Sequence, residues 1–150
     1  MGSRRLTLRT LKIAAPDDLQ RAVNGTHIVC CIAAEAAPIL NGHWLPLGVH
    51  LDLVGGATPA LRQADDETLH RARVFLDTRD KALAEAGDLA QPIRAGAFNP
   101  DDVAGDLFDL TRGTRAGRRF HDQITLFKSV GLALTDLAAA KQGLENALAP

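Results

Sequence analysis

Short apolar runs alternate with helix-forming segments along the chain, and this alternation limits the folds available to it. Runs typical of strands lie at 6–14, 27–34, 49–54, 73–77 and 124–127. Segments with helical spacing of apolar residues lie between and after them, at 16–23, 65–72, 79–86, 89–95, 103–112 and 132–148. Strands and helices joined by short links predict an α/β fold. We expect a mostly parallel, Rossmann-like sheet with right-handed crossovers.

Helix boundaries are marked by residues with well-understood preferences. Pro16 with Asp17 and Asp18 suits a helix start, because proline fits the first turn and acids favour the positive end of the helix dipole. Asp65 or Asp66 is expected to cap the helix at 65–72. Gly87 is expected to end the helix at 79–86.

The composition excludes several classes of protein. The chain has 150 residues, which suits one domain, with 46% apolar and 23% charged residues and a net charge of −1. The chain therefore has no excess of positive charge with which to bind nucleic acid or an anionic membrane. No apolar run approaches the ~20 residues of a transmembrane helix, and the N-terminal arginines lead into an alternating segment, not a signal-peptide core. These features predict a cytoplasmic protein.

The two cysteines are adjacent, at Cys30 and Cys31. Neighbouring strand residues point to opposite faces, so a disulfide between them would be strained. No second pair or spaced histidine completes a zinc site, and the five histidines are scattered, so no metal site is predicted. We expect both cysteines to be small buried apolar residues in a strand covered on both faces.

The glycine fingerprint of dinucleotide-binding domains, G-x-G-x-x-G after a first strand, does not occur in the chain. The run at 6–14 instead resembles the third strand of a complete Rossmann unit. The sequence therefore predicts one partial dinucleotide-binding domain over 1–150, which lacks the first βαβ unit and the turn that cradles a pyrophosphate.

Three segments carry a family resemblance: 42–48 (GHWLPLG), 50–56 (HLDLVGG) and 117–131 (GRRFHDQITLFKSVG). With them, the chain resembles the C-terminal half of the ornithine cyclodeaminase/mu-crystallin family from about residue 11 to 147. Further segments at 73–79, 84–89 and 105–110 are similar to bacterial ketimine reductases, which act on pyrroline- or piperideine-2-carboxylate. The resemblance implies an NAD or NADP cofactor that delivers hydride to the C=N carbon of a cyclic imine, and a small imine or amino-acid substrate.

The same resemblance assigns candidate site residues. It places Asp52, Leu53, Val54 and Gly55 at the nicotinamide end of the cofactor, Ser129 at the nicotinamide, and Val130 at the substrate. A serine and an apolar neighbour between a strand end and a helix start suit such a site. Two plainer alternatives remain: Gly55-Gly56 is simply a loop start, and Ser129 is a helix cap. No catalytic residue is assigned.

Four positions depart from the family pattern. Ala57 stands where cyclodeaminases place an acid–base aspartate, which argues against ornithine deamination more than against imine reduction. Leu61 replaces a common lysine, Ala33 replaces a threonine at the ligand edge, and His27 stands where an aspartate usually precedes the strand.

Charged and apolar surfaces leave further alternatives. Arg118, Arg119 and Lys128 either offer positive charge to a carboxylate or phosphate, or are simply solvated. The terminal helix is rich in leucine, and in the family this region packs towards a dimerisation domain, so a homo-oligomer is expected. The sequence thus predicts an incomplete cyclic-imine reductase, with a non-catalytic remnant that self-associates or binds a partner as the alternative.

Overall fold

The computed structural model describes residues 15–56 and 58–149. The strand predicted at 6–14 and the substitution at Ala57 therefore lie outside the described residues. The strands are β1 Ile28–Cys31, β2 His50–Leu53, β3 Arg73–Leu76, β4 Gly105–Asp106 and β5 Thr125–Lys128. The helices are α1 Leu19–Val23, α2 Asp66–Arg71, α3 Arg79–Glu85, α4 Gly87–Arg94, α5 Leu107–Arg112 and α6 Ala133–Leu148. Short 3₁₀ turns lie at Gly42–Trp44 and Pro100–Asp102.

The described strands form one sheet in the order β1-β2-β5-β3-β4, and every pair is parallel. This confirms the predicted Rossmann-like α/β fold. The last strand in the chain, β5, lies in the middle, with β2 on one side and β3 on the other. The loops that follow β2, β3 and β5 therefore leave the same edge of the sheet side by side.

One face of the sheet forms the core. Because side chains alternate along a strand, Leu51 and Leu53 of β2 point to the same face, as do Leu126 of β5 and Val74 and Leu76 of β3. All five are at most 1% exposed. They form a cluster with Leu69, Ala82 and Leu89, which come from α2, α3 and α4. The alternate residues of β2, His50 and Asp52, face the other side and are only half-buried.

The helix starts follow the predicted chemistry. Asp18 accepts the Gln20 backbone N–H at 2.9 Å and begins α1. Asp65, not Asp66, caps α2, because its Oδ1 accepts the Thr68 N–H at 2.9 Å. Gly87 follows α3 as predicted, but it also begins α4, and a Cβ there would overlap the Leu61 carbonyl oxygen. Close packing against the loop therefore requires a glycine at this position.

Two sequence-based expectations, one for a strand and one for a helix, are wrong. The run at 27–34 is not covered on both faces: Ile28 is 64% exposed and Cys30 is exposed, whereas Cys31 is buried. The reason is that Ile28 and Cys30 are the register partners of His50 and Asp52, and so they lie on the face opposite the core cluster. The segment 103–112 is not one helix, because Gly105–Asp106 pairs with β3 before α5 begins.

The terminal helix α6 has no buried residue. Leu134, Leu137, Leu144 and Leu148 are each between 57% and 75% exposed. Among the described residues, no helix has the length and apolar character needed to cross a membrane.

Candidate functional site

The loops that follow β2 and β5 lie next to each other at the carboxyl edge of the sheet. Leu53 and Lys128, the last residues of these strands, are partners in the register. The Ser129 backbone N–H donates to the Leu53 carbonyl at 3.0 Å. The structure therefore brings Gly55 and Ser129 together, as their positions after parallel strands predict.

The loop after β5 is held by a buried carboxylate that the sequence did not single out. Asp77 follows β3 and is 3% exposed. Its Oδ2 accepts the Ser129 hydroxyl at 2.9 Å and the backbone N–H groups of Val130 and Gly131 at 2.8 and 2.9 Å. Its Oδ1 accepts the Thr78 N–H at 2.7 Å. An aspartate directly after an apolar strand, at the edge where ligands bind in such sheets, is the signal that could have found it.

Ser129 does not cap the terminal helix, so that alternative is wrong. Helix α6 begins at Ala133, and its N-cap residue, Leu132, makes no side-chain cap bond. The Ser129 hydroxyl donates to Asp77 and accepts the Gly131 N–H at 3.3 Å. Because its hydrogen is committed to Asp77, Oγ can act towards a ligand only as an acceptor.

A second buried group lies under the loop after β2. Lys128 is 0% exposed, and its Nζ contacts the Gly55 carbonyl and lies 3.4 Å from Gln63 Oε1. Asp88 Oδ2 lies 3.0 Å from the same Nζ, in the geometry of an ion pair and not of a directed hydrogen bond. Asp88 Oδ1 accepts the backbone N–H groups of Gln63 and Ala64 at 2.6 and 3.0 Å. Both sequence-based alternatives for Lys128 are therefore wrong, since it is neither open to a ligand nor solvated.

Gly55 and Gly56 are required by packing within the protein. A Cβ on Gly55 would overlap the Ala33 carbonyl oxygen, so the loop lies directly against the end of the segment after β1. Gly56 has φ of +61°, a conformation that side chains disfavour. The contact with Ala33 gives the reason for glycine at position 55, and a cofactor-binding role for this loop stays a prediction.

The remaining predicted residues differ in what they offer to a ligand. Val54 is 45% exposed and lies at the edge beside Gly55. Leu53 is 0% exposed, so only its backbone could meet a cofactor. Asp52 lies within β2, between Cys30 and Phe127 in the register, and is half-buried on the open face. Val130 is 9% exposed, and its side chain belongs to the core cluster.

Arg118 lies at the opposite end of the sheet from these loops. Its guanidinium donates to the Gly48 and Gln123 carbonyls, both at 2.6 Å, and to Thr125 Oγ1 at 3.0 Å. His50 Nδ1 shares that hydroxyl at 2.8 Å. Burial lowers the pKa of His50; the Asp52 carboxylate opposes this shift and Arg118 adds to it. Arg118 therefore joins the amino ends of β2 and β5 and has no part in the candidate site.

Comparison with known proteins agrees with this architecture. The parallel sheet and its flanking helices define the chain as a Rossmann-like α/β protein. A model of the ornithine cyclodeaminase/mu-crystallin family matches residues 3–150. The chain belongs to that family.

Several named relatives are reductases. A Delta(1)-pyrroline-2-carboxylate reductase of Colwellia psychrerythraea is 38% identical over 129 residues, which are 86% of this chain and 41% of that protein. The rat ketimine reductase mu-crystallin is 34% identical over 82% of this chain and 36% of its own length. The Thermococcus litoralis Delta(1)-pyrroline-2-carboxylate reductase, solved with NADH and L-proline, superposes with a TM-score of 0.80 and 31% identity, covering 86% of this chain and 40% of that one. The chain thus spans about two-fifths of the relatives it matches.

Proposed function

We propose that the chain supplies the nicotinamide side of the site of an NAD(P)H-dependent reductase acting on cyclic imines such as pyrroline- or piperideine-2-carboxylate. The observation that carries this is the pairing of the Gly55 and Ser129 loops at the carboxyl edge, the part of a parallel sheet where ligands bind. The names of the relatives support the substrate class, and the Thermococcus litoralis complex supports the cofactor.

The residues present fit one end of such a cofactor. The Ser129 hydroxyl is oriented by Asp77 and keeps an acceptor lone pair, which matches an amide N–H donor such as the carboxamide of nicotinamide. Val54 places an exposed apolar side chain beside it at the same edge, suited to a flat ring. When bound, the reduced cofactor would supply hydride to the C=N carbon, and the protein's part is to position the ring and exclude water.

The pyrophosphate end of the cofactor needs groups that these residues do not provide, since G-x-G-x-x-G is absent from the sequence. Among the described residues no strand pairs with the outer edge of β1, and an apolar groove of about 500 Å³ lies beside it, lined by residues that include Leu19, Val29 and Ile39. A sheet of this kind can be extended at that edge. One partial dinucleotide-binding domain over 1–150 and a cytoplasmic location remain part of this proposal.

Reduced nicotinamide mononucleotide tests the proposal, because it carries the nicotinamide without the pyrophosphate bridge and adenosine. In saturation-transfer NMR we expect its ring protons to receive saturation from the chain, and the effect to be lost in Ser129→Ala. Thr111→Ala, which removes an exposed hydroxyl from α5, is the matched control. Absence of transfer to the ring with the wild-type chain would contradict the proposal.

A second candidate function is a self-associating or partner-binding module without catalysis. The exposed leucines of α6 favour it, because an apolar helix with no buried residue leaves contact area that a second copy can cover. The homo-oligomer expected from the sequence belongs to this proposal. Association through α6 is by itself compatible with the first candidate, since the helix lies outside the two site loops.

A further inference from the structure

Lys128 is a fully buried cation whose contacts all come from elements that converge on the candidate site. It is the last residue of β5, directly before Ser129. Its ammonium contacts the Gly55 carbonyl after β2, Gln63 farther along the same loop, and Asp88 in α4. The residue directly before the Ser129 loop therefore contacts the Gly55 loop through its side chain.

The charge on Lys128 is not explained by stability alone. A buried ion pair gives up the hydration of both charges, and replacing such a pair by apolar groups of similar volume is often neutral or stabilising. Lys128 and Asp88 are 0% and 1% exposed, so both have given up their hydration. What an apolar residue would not supply is a donor to the Gly55 carbonyl.

The supporting contacts make the arrangement rigid. Asp88 accepts two backbone N–H groups of the Gln63–Ala64 segment, and Gln63 Nε2 lies 3.1 Å from Cys31 Sγ at the end of β1. Gly55 is pressed against the Ala33 carbonyl on its other side. The loop after β2 is therefore held between the segment that follows β1 and the Lys128 ammonium.

We propose that Lys128 is a positioning residue, paired with Asp88, that fixes the Gly55 loop relative to Ser129 and so sets the width of the gap that receives the nicotinamide ring. The positional part of this inference stands on the contacts alone. Its link to nicotinamide rests on the proposed function.

Local amide exchange separates positioning from a general role in stability. The double variant Lys128→Met/Asp88→Asn keeps side-chain volume, leaves no buried charge, and retains an oxygen for the Gln63 and Ala64 N–H groups. We expect the amides of Val54 and Gly55, which donate to the Cys31 carbonyl, to exchange at least about tenfold faster relative to the core amides of Val74 and Leu126. If loop and core amides change by the same factor, or neither changes, Lys128 has no positioning role and the inference is overturned.

A separate measurement tests the link between Lys128 and nicotinamide binding. In the same variant we expect saturation transfer from the protein to reduced nicotinamide mononucleotide to fall, although Ser129 is intact. Unchanged transfer together with faster loop exchange would overturn the link to the cofactor. If the wild-type chain gives no transfer at all, the proposed function fails, whereas the exchange result still decides the positional claim.

If the double variant does not fold, the wild-type chain can be used to test the positional claim for Lys128. In protein labelled with ¹⁵N-lysine, a hydrogen-bonded buried ammonium should give one slowly exchanging resonance with nuclear Overhauser effects to the Gly55 α-protons. Lys141 on α6 is exposed and serves as the internal control. Loss of the Lys128 resonance to fast exchange, or the absence of those effects, would overturn the inference.

Discussion

Asp77 and Ser129 are 52 positions apart in the chain, and a hydrogen bond of 2.9 Å joins their side chains. The same carboxylate oxygen also accepts two backbone N–H groups from the loop that contains Ser129. Asp77, which follows β3, thus determines the conformation of the loop after β5. Because the Ser129 hydroxyl donates its hydrogen to Asp77, its oxygen can only accept a hydrogen bond from a ligand.

Asp77→Asn should therefore damage both stability and the site. An amide can present only one oxygen, so at least one N–H group among Thr78, Val130 and Gly131 loses its acceptor. We expect a loss of about 1–3 kcal/mol in the free energy of unfolding, measured by urea denaturation. Asp80→Asn, on the exposed side of α3, should change it by less than about 0.5 kcal/mol. Equal effects of the two variants would contradict this account of Asp77.

Gly87→Ala should be among the most damaging single-methyl changes in the chain. The added Cβ would overlap the Leu61 carbonyl, and that backbone lies in the loop held by Asp88. We expect a loss of about 3 kcal/mol or more, or failure to fold. Gly143→Ala is the control, because no atom lies within 4 Å of its Cβ position in α6, and there alanine should favour the helix by up to about 1 kcal/mol. A folded Gly87→Ala protein with unchanged stability would show that the loop packs differently.

The chain alone should bind intact NADH or NADPH weakly or not at all. Phosphate binding in such domains depends on the glycine-rich turn and the helix start that follows it, and this sequence lacks that pattern. Titration followed by the fluorescence of the reduced nicotinamide measures the affinity. Saturation at low micromolar concentrations would show that another group holds the pyrophosphate.

Leu137→Glu with Leu144→Glu should shift the particle towards monomer in light scattering. Both side chains are more than 60% exposed on α6, so charging them should remove an association surface at little cost to folding. Thr135→Glu with Gln142→Glu adds the same charge to the same helix at polar positions and should leave the mass unchanged. A wild-type chain that is monomeric at high concentration would rule out α6 as an association surface.

His50 should make the protein less stable in mild acid. Burial lowers its pKa in the folded state, so the unfolded chain binds a proton more readily than the folded one. Stability should therefore fall as the pH drops below about 6.5 and continue to fall down to the folded pKa. His50→Gln should flatten the urea-midpoint profile in that window, whereas His43→Gln, at an exposed position, should keep the slope. An unchanged slope in His50→Gln would assign the effect to other groups.

Local patterns predicted the strands and helices well because they depend on neighbours in the chain. The apolar run at 73–77 and the cap at Asp65 are examples, and both are confirmed within one residue. The order of the strands depends on contacts between distant segments, so β5 in the centre and β1 at the edge could not be read from periodicity. The burial of Lys128 was missed for the same reason, because its partners Gly55, Gln63 and Asp88 lie 40 or more positions earlier.

The central position of β5 also determines the order in which the sheet can form during synthesis. Synthesis runs from the amino end, so β2 and β3 leave the ribosome long before residue 125, and each then has an unpaired edge where β5 will lie. Unpaired strand edges rich in Leu, Val and Phe are prone to incorrect pairing until β5 is available. The sheet can therefore close only after β5 has left the ribosome and has inserted between β2 and β3.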